Sequence, residues 1–174
     1  MKKNIFIIAA ALALAACSHN PKEPTRDELV QSIDSIETPL MQAAMIENID
    51  TSEGNKLIAL YVQFADAYPN DTMTAPYLHR AAQVANGMGL IDDMTTYYDR
   101  VIDNYPNYIH LDECYYEKGI ALDNAERKDE ARKAYQEFLE EYPDHFLAND
   151  IRKTLQLLDM TDEMLFEYLN NQNK

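Results

Sequence analysis

Ala125-Glu126-Arg127-Lys128-Asp129-Glu130-Ala131-Arg132-Lys133-Ala134-Tyr135-Gln136-Glu137-Phe138-Leu139-Glu140-Glu141-Tyr142-Pro143 reads as one helix with a hard stop. Ala131, Ala134, Tyr135, Phe138, Leu139 and Tyr142 recur at the spacing of one face of a 3.6-residue helix. Lys, Arg and Glu fill the other face. Pro143 cannot continue the hydrogen-bond ladder and disfavours helical backbone at Tyr142, so the helix closes there.

The same pattern is written twice more upstream. Tyr-Pro stands at 68–69, 105–106 and 142–143, 37 residues apart both times. Met94, Tyr97, Tyr98, Val101, Ile102 and Tyr105 occupy the slots of Ala131 to Tyr142. Leu57, Leu60, Tyr61, Phe64, Ala65 and Tyr68 occupy them again. A fixed period of this size, free of gaps, is the signature of a helical repeat array. The first helices of each pair match too. Ala82, Gly119 and Gln156 share a slot, and a small residue there lets the paired helix approach closely. Gln156 departs from that rule, as a terminal helix with no further neighbour can. No strand pattern occurs.

Taken in order, Lys2 and Lys3 precede an uncharged apolar run from Ile5 to Ala16 that is too short to span a bilayer and is flanked like a secretory signal. It ends Leu14-Ala15-Ala16-Cys17, which resembles the lipobox of bacterial lipoproteins. The resemblance implies cleavage before Cys17 and lipid attachment to it; the alternative is an ordinary secretory signal. Each buried methylene contributes about 0.8 kcal/mol, so two or three acyl chains hold firmly. Ser18, rather than Asp, follows the cysteine, which under the enterobacterial rule favours the outer membrane. Residues 17–25 read as a lipidated N-terminus and tether. Thr25 and Glu28 have capping-box spacing for a helix from Arg26. Pro39 is expected to end that helix or open the next one. Second helices follow at 52–68, 88–105 and 126–142, and first helices at 40–50, 77–86, 111–124 and 146–159. A short last helix reaches Leu169, and residues 171–174 are expected to fray. The repeat domain therefore spans 26–170.

Without residues 1–16 the chain holds 30 acidic residues against 13 Lys and Arg, a net charge of −17. That opposes binding to nucleic acid or to an anionic lipid surface, both of which need clustered cations. Of the two cysteines, Cys17 is assigned to lipid. Cys114 shares its slot with Tyr77 and Ile151 and reads as a small buried apolar residue, with a reactive thiol as the alternative.

The arrangement resembles tetratricopeptide repeats. Gly119, Ala131, Tyr135, Phe138 and Pro143 occupy that family's small, small, aromatic, aromatic and proline slots. Ala82, Met94, Tyr98, Val101 and Pro106 fit with one large residue, and Met45, Leu57, Tyr61, Phe64 and Pro69 fit loosely. The three residues beyond the family's usual period lie in the loop after each Tyr-Pro. That variant is similar to the repeats of the outer-membrane lipoprotein of the barrel-assembly machinery and of the periplasmic coordinator of the Tol–Pal system. The resemblance implies an all-α, right-handed superhelical array of antiparallel helix pairs. It also implies a concave face lined by Gln42, His79, Gln83, Asn86, Glu113, Tyr116 and Asp123 that holds another protein. The Lys and Asn clamp with which some members grip a C-terminal carboxylate is absent, so an amphipathic helix or extended segment is the expected ligand.

Nothing in the chain reads as a catalytic motif. His19, His79, His110 and His145 form no zinc pattern with near neighbours and do not recur at the repeat period. There is no phosphate loop and no nucleophile motif, so no metal or cofactor is expected. His79 is expected at the surface, and the acid pairs, Asp112-Glu113 among them, on loops or solvated faces. Of the 12 tyrosines, Tyr61, Tyr98 and Tyr135, with Tyr68, Tyr105 and Tyr142, are assigned to the core. Tyr116 is the leading candidate for a partner contact. The reading is a lipid-anchored cell-envelope scaffold for protein–protein interaction, in bacteria and facing the periplasm. The alternative is a lipoprotein that binds glycan or peptidoglycan fragments on groove tyrosines.

Overall fold

The computed structural model describes residues 23–44 and 50–172. Cys17, the apolar run before it and the start of the tether lie outside those residues. The described chain is helical throughout, as α1 (Arg26–Ala44), α2 (Thr51–Ala67), α3 (Thr74–Gly87), α4 (Ile91–Asn104), α5 (Leu111–Asn124), α6 (Lys128–Glu141), α7 (Ala148–Leu158) and α8 (Asp162–Gln172). From α1 to α7 each helix packs on the one before it, which is the stacking of a tetratricopeptide-like solenoid. No described helix is long and apolar enough to cross a membrane.

The helix ends have local chemical causes. The N–H of Glu28 donates to Thr25 Oγ1 at 3.3 Å, and the N–H of Thr25 donates to Glu28 Oε2 at 2.7 Å, a reciprocal capping box. Asp50 caps α2 by accepting from the N–H of Glu53 at 2.9 Å. Tyr68, Tyr105 and Tyr142 close α2, α4 and α6 with nearly the same backbone: φ −130°, −129° and −128°, ψ 58°, 60° and 58°. Each precedes a proline, whose ring pushes the residue before it out of helical geometry.

The starts of the first helices are set by the loops. Asp71 Oδ1 accepts from the N–H of Met73 at 2.9 Å, and the buried Thr74 hydroxyl donates to Tyr68 O at 2.6 Å. Pro76 falls in the first turn of α3, where a missing N–H breaks no helical bond.

Packing follows the repeat register. Tyr61, Tyr98 and Tyr135 are 0, 1 and 3 % exposed, and Leu57, Met94 and Ala131 are wholly buried, as are Phe64, Val101 and Phe138. Gly119 shows why its slot is small: a Cβ there would sit 2.6 Å from Tyr135 Cε1. That ring is locked in the core and has no room to turn away.

Four expectations are corrected. Pro39 does not divide two helices, since α1 runs through it to Ala44. Pro39 and Ser35, whose carbonyl loses its donor, are exposed, while Leu40 is buried beside them. Water can serve the freed carbonyl and burial holds the helix together. Tyr68, Tyr105 and Tyr142 are half-buried rather than core, and Tyr105 uses its hydroxyl to donate to Pro69 O of the preceding repeat at 3.0 Å. α8 extends to Gln172, beyond its expected end at Leu169. His79 is buried, not superficial, for reasons that belong to the site.

Candidate functional site

α3 and α5 are successive first helices, and their facing sides gather a connected cluster of polar side chains. His79 is 5 % exposed. Its Nε2 lies 2.9 Å from Glu117 Oε2, and its Nδ1 lies 3.2 Å from the Tyr108 hydroxyl. Tyr98, from α4, donates its hydroxyl to the same Glu117 oxygen at 2.7 Å. Gln83, one turn beyond His79, donates its amide to Glu117 Oε2 at 3.1 Å and to Oε1 at 3.3 Å. His110 Nδ1 stands 2.9 Å from Glu113 Oε1. Glu113 and Glu117 are four apart on α5 and so share a face.

The helices place these groups for simple reasons. The burial of Tyr77, Leu78, Ala81 and Ala82 turns His79 toward α5, and the burial of Cys114, Ala121 and Leu122 fixes the face on which Glu113 and Glu117 emerge. Tyr108 comes from the loop after α4, where the Tyr105-Pro106 stop aims the chain back across α3.

Burial opposes the charge on Glu117, but the bonds from His79, Tyr98 and Gln83 outweigh it and hold its carboxyl below the ordinary range. Burial, with Cys114 and Glu113 beside it, pushes the Tyr108 phenol up to about 12. Burial, reinforced by the adjacent Glu117 carboxylate, keeps the Tyr98 phenol protonated. The Cys114 thiol is raised first by burial and then by Glu117, Glu113 and Asp112. It therefore carries no thiolate at neutral pH and is a packing residue, not a nucleophile.

Of the seven residues expected to line the concave face, the structure joins His79, Gln83 and Glu113 in one cluster. Gln42 on α1 and Asn86 at the end of α3 are exposed and stand apart from it. Tyr116 is half-buried, its ring leaning on Phe138 at 6.3 Å between centroids, and Asp123 is half-buried beside Tyr135. Sequence reasoning missed Glu117, Tyr98 as a polar partner, and Tyr108. Only the four-residue step from Glu113 to Glu117 could have signalled the first. Asp112, expected on a solvated face, is also engaged, with His145 Nε2 at 3.2 Å.

An open cleft of about 680 Å³ lies elsewhere, between the ends of α2 and α4, lined by Asp66, Asn70, Asp71, Arg100, Asn104 and Tyr105. The Arg100–Asp66 ion pair at 2.7 Å spans it, and it holds none of the expected groove residues. It is the crevice left where adjacent repeats splay.

With the helices stacked in register and the first helices supplying this face, one comparison decides the kind of unit involved. Residues 113–145 match the tetratricopeptide repeat. The matched segment runs from Glu113 through α5 and α6 to His145, so it holds Glu113, Glu117, Gly119, Tyr135 and Pro143. No curated protein matches the chain. Tetratricopeptide repeats are interaction modules without catalytic machinery, and they mediate binding between proteins.

Proposed function

We propose that this chain is a lipid-anchored scaffold of the bacterial cell envelope, tethered by an acylated Cys17 at the outer membrane. Its repeats hold a partner protein on the face formed by α3 and α5. The observation that carries the reading is the combination of in-register tetratricopeptide helices with exposed polar side chains, Gln83, Asn86 and Glu113, on one first-helix face. The Leu14-Ala15-Ala16-Cys17 box supports the anchor. The charge of the body, −17 after residue 16, favours a partner segment bearing Lys or Arg, an amphipathic helix or an extended strand.

A glycan ligand is less well supported. Sugar binding by stacking needs an open aromatic face, and the groove tyrosine Tyr116 is half-buried with its ring leaning on Phe138.

Two measurements test the proposal. A photo-crosslinking residue placed at Gln83 in intact cells should yield a discrete protein adduct, whereas one at Thr96 on α4 should not. Equal labelling from both positions, or none from Gln83, would overturn the partner face. Cys17→Ala should move the protein from the membrane to the soluble fraction, and retention at the membrane would overturn the anchor.

A further inference from the structure

We propose that His79, Glu113 and Glu117 form a binding site for one divalent transition-metal ion of the zinc class, open toward the same first-helix face. The three residues come from two helices, and each offers a ligand atom within 4.8 Å of the others. Zn²⁺ takes imidazole nitrogen and carboxylate oxygen at about 2.0–2.2 Å, commonly three protein ligands with the fourth position left to water. His79 Nε2 and Glu117 Oε2, at 2.9 Å, need to open by only about 0.4 Å to reach the roughly 3.3 Å between neighbouring ligands of a tetrahedral ion. Glu113 closes the set by a side-chain rotation, for which its exposure leaves room.

The donor set discriminates among ions. An imidazole with two carboxylates suits Zn²⁺ and its first-row neighbours; Ca²⁺ prefers six to eight oxygens and no imidazole.

Each of the three ligands also has an outer partner in place. Tyr108 stands on the far nitrogen of His79, Tyr98 and Gln83 bind Glu117, and His110 binds Glu113. Such contacts orient ligands and strengthen metal binding. The Tyr108 hydroxyl both donates and accepts. Both ring nitrogens of His79 have a partner, Glu117 on Nε2 and Tyr108 on Nδ1. With metal, the proton resides on Nδ1 and is donated to Tyr108 Oη, which leaves the Nε2 lone pair for the ion.

Electrostatics point the same way. Two carboxylates converge beside one buried imidazole, and Lys118, next along α5, is turned to Asp99 at 2.6 Å. A dication at the centre offsets that convergence.

The site stands or falls separately from the partner-binding reading. The full-length chain, stripped with EDTA, would be titrated with Zn²⁺ by calorimetry and with Co²⁺ by visible absorption. The expected result is one saturable site per chain. Co²⁺ should give the d–d bands of a four- or five-coordinate ion, displaced by Zn²⁺ and not by Ca²⁺. Glu113→Gln, at an exposed position, should leave the metal-free melting curve unchanged and weaken Zn²⁺ binding about tenfold or more. His79→Gln should weaken it likewise. Absence of a saturable site, or binding unchanged in both variants, would overturn the proposal, since cations held loosely by the acidic surface behave that way.

Discussion

Glu126 carries a left-handed backbone, φ 58°, at the same repeat position where Gly89 carries φ 73°. The two turns are otherwise alike. The N–H of Leu90 bonds to Ala85 O at 2.8 Å, and the N–H of Arg127 bonds to Leu122 O at 2.9 Å. This is the six-to-one closure of a helix ending in a left-handed residue. A side chain in that conformation costs about 1–2 kcal/mol, of which glycine's greater unfolded-state freedom returns part. Glu126→Gly should therefore stabilise the chain by about 0.5–1 kcal/mol in urea unfolding. Gly89→Ala should destabilise it by about 1 kcal/mol through backbone strain alone, because nothing lies within 4 Å of the added Cβ. A neutral Glu126→Gly would show that the glutamate does not hold that turn.

At the scale of elements, the facing of α6 can be tested directly. Tyr135 is buried under Gly119, whereas Glu137 lies toward solvent with Lys133 at 3.5 Å and Lys118 at 3.8 Å. Tyr135→Ala should cost roughly 3–5 kcal/mol, as buried aromatics do. Glu137→Ala should cost about 0.5 kcal/mol or less, since partly exposed ion pairs contribute little. Equal losses by denaturant titration would mean the helix is turned the other way. A second contact ties α1 to the loop after α2: Arg26 Nε lies 2.7 Å from Asp71 Oδ2. The Arg26 bond, with help from the N–H of Met73, holds the Asp71 carboxyl below its ordinary value. An unfolded Asp titrates near about 3.9. The contribution of Asp71 is thus complete well above that pH and is lost as pH falls through its lower native value. Asp71→Asn, which keeps an acceptor for Met73, should flatten the acid side of the stability profile below about pH 5 and leave its neutral-to-basic slope unchanged. An unaltered acid slope would remove Asp71 from the pH response.

These elements also show what a reader of the sequence could and could not see. Helix faces were legible because burial repeats every 37 residues, so one helix confirms another: Leu57, Met94 and Ala131 all prove buried. Pro39 misled because proline marks a stop only where burial does not hold the helix together across it. The polar cluster was illegible for a different reason. His79 meets Glu117 38 residues away, across two helices, and neither residue type recurs at the period. A repeat reports what all its copies share, and a site made by one pair of copies is invisible to it.

For the whole molecule, the solenoid has a middle and two ends, and stability should be distributed accordingly. Each helix pair buries its apolar side only against neighbours, so an interior pair is held from both directions and a terminal one from a single direction. Among the described residues, the largest fully buried side chains begin with Leu29 and Ile33 on α1 and continue through Leu57, Tyr61, Phe64, Leu78, Met94, Tyr98 and Leu122 to Phe138 on α6. Toward the C-terminus, Leu157 on α7 and Met164, Phe166 and Tyr168 on α8 are exposed, Phe166 by 70 %. Few buried apolar contacts mean a small free energy of local opening. Native-state hydrogen exchange should accordingly show α8 exchanging first and α7 next, while amides of α3, α4 and α5 open only with the global transition. That order places the candidate metal ligands and the proposed partner face on the most resistant part of the chain, where geometry is best maintained. Uniform protection from α2 to α8 would mean that the C-terminal helices are covered in solution, and one-dimensional stacking would then be the wrong description of this protein.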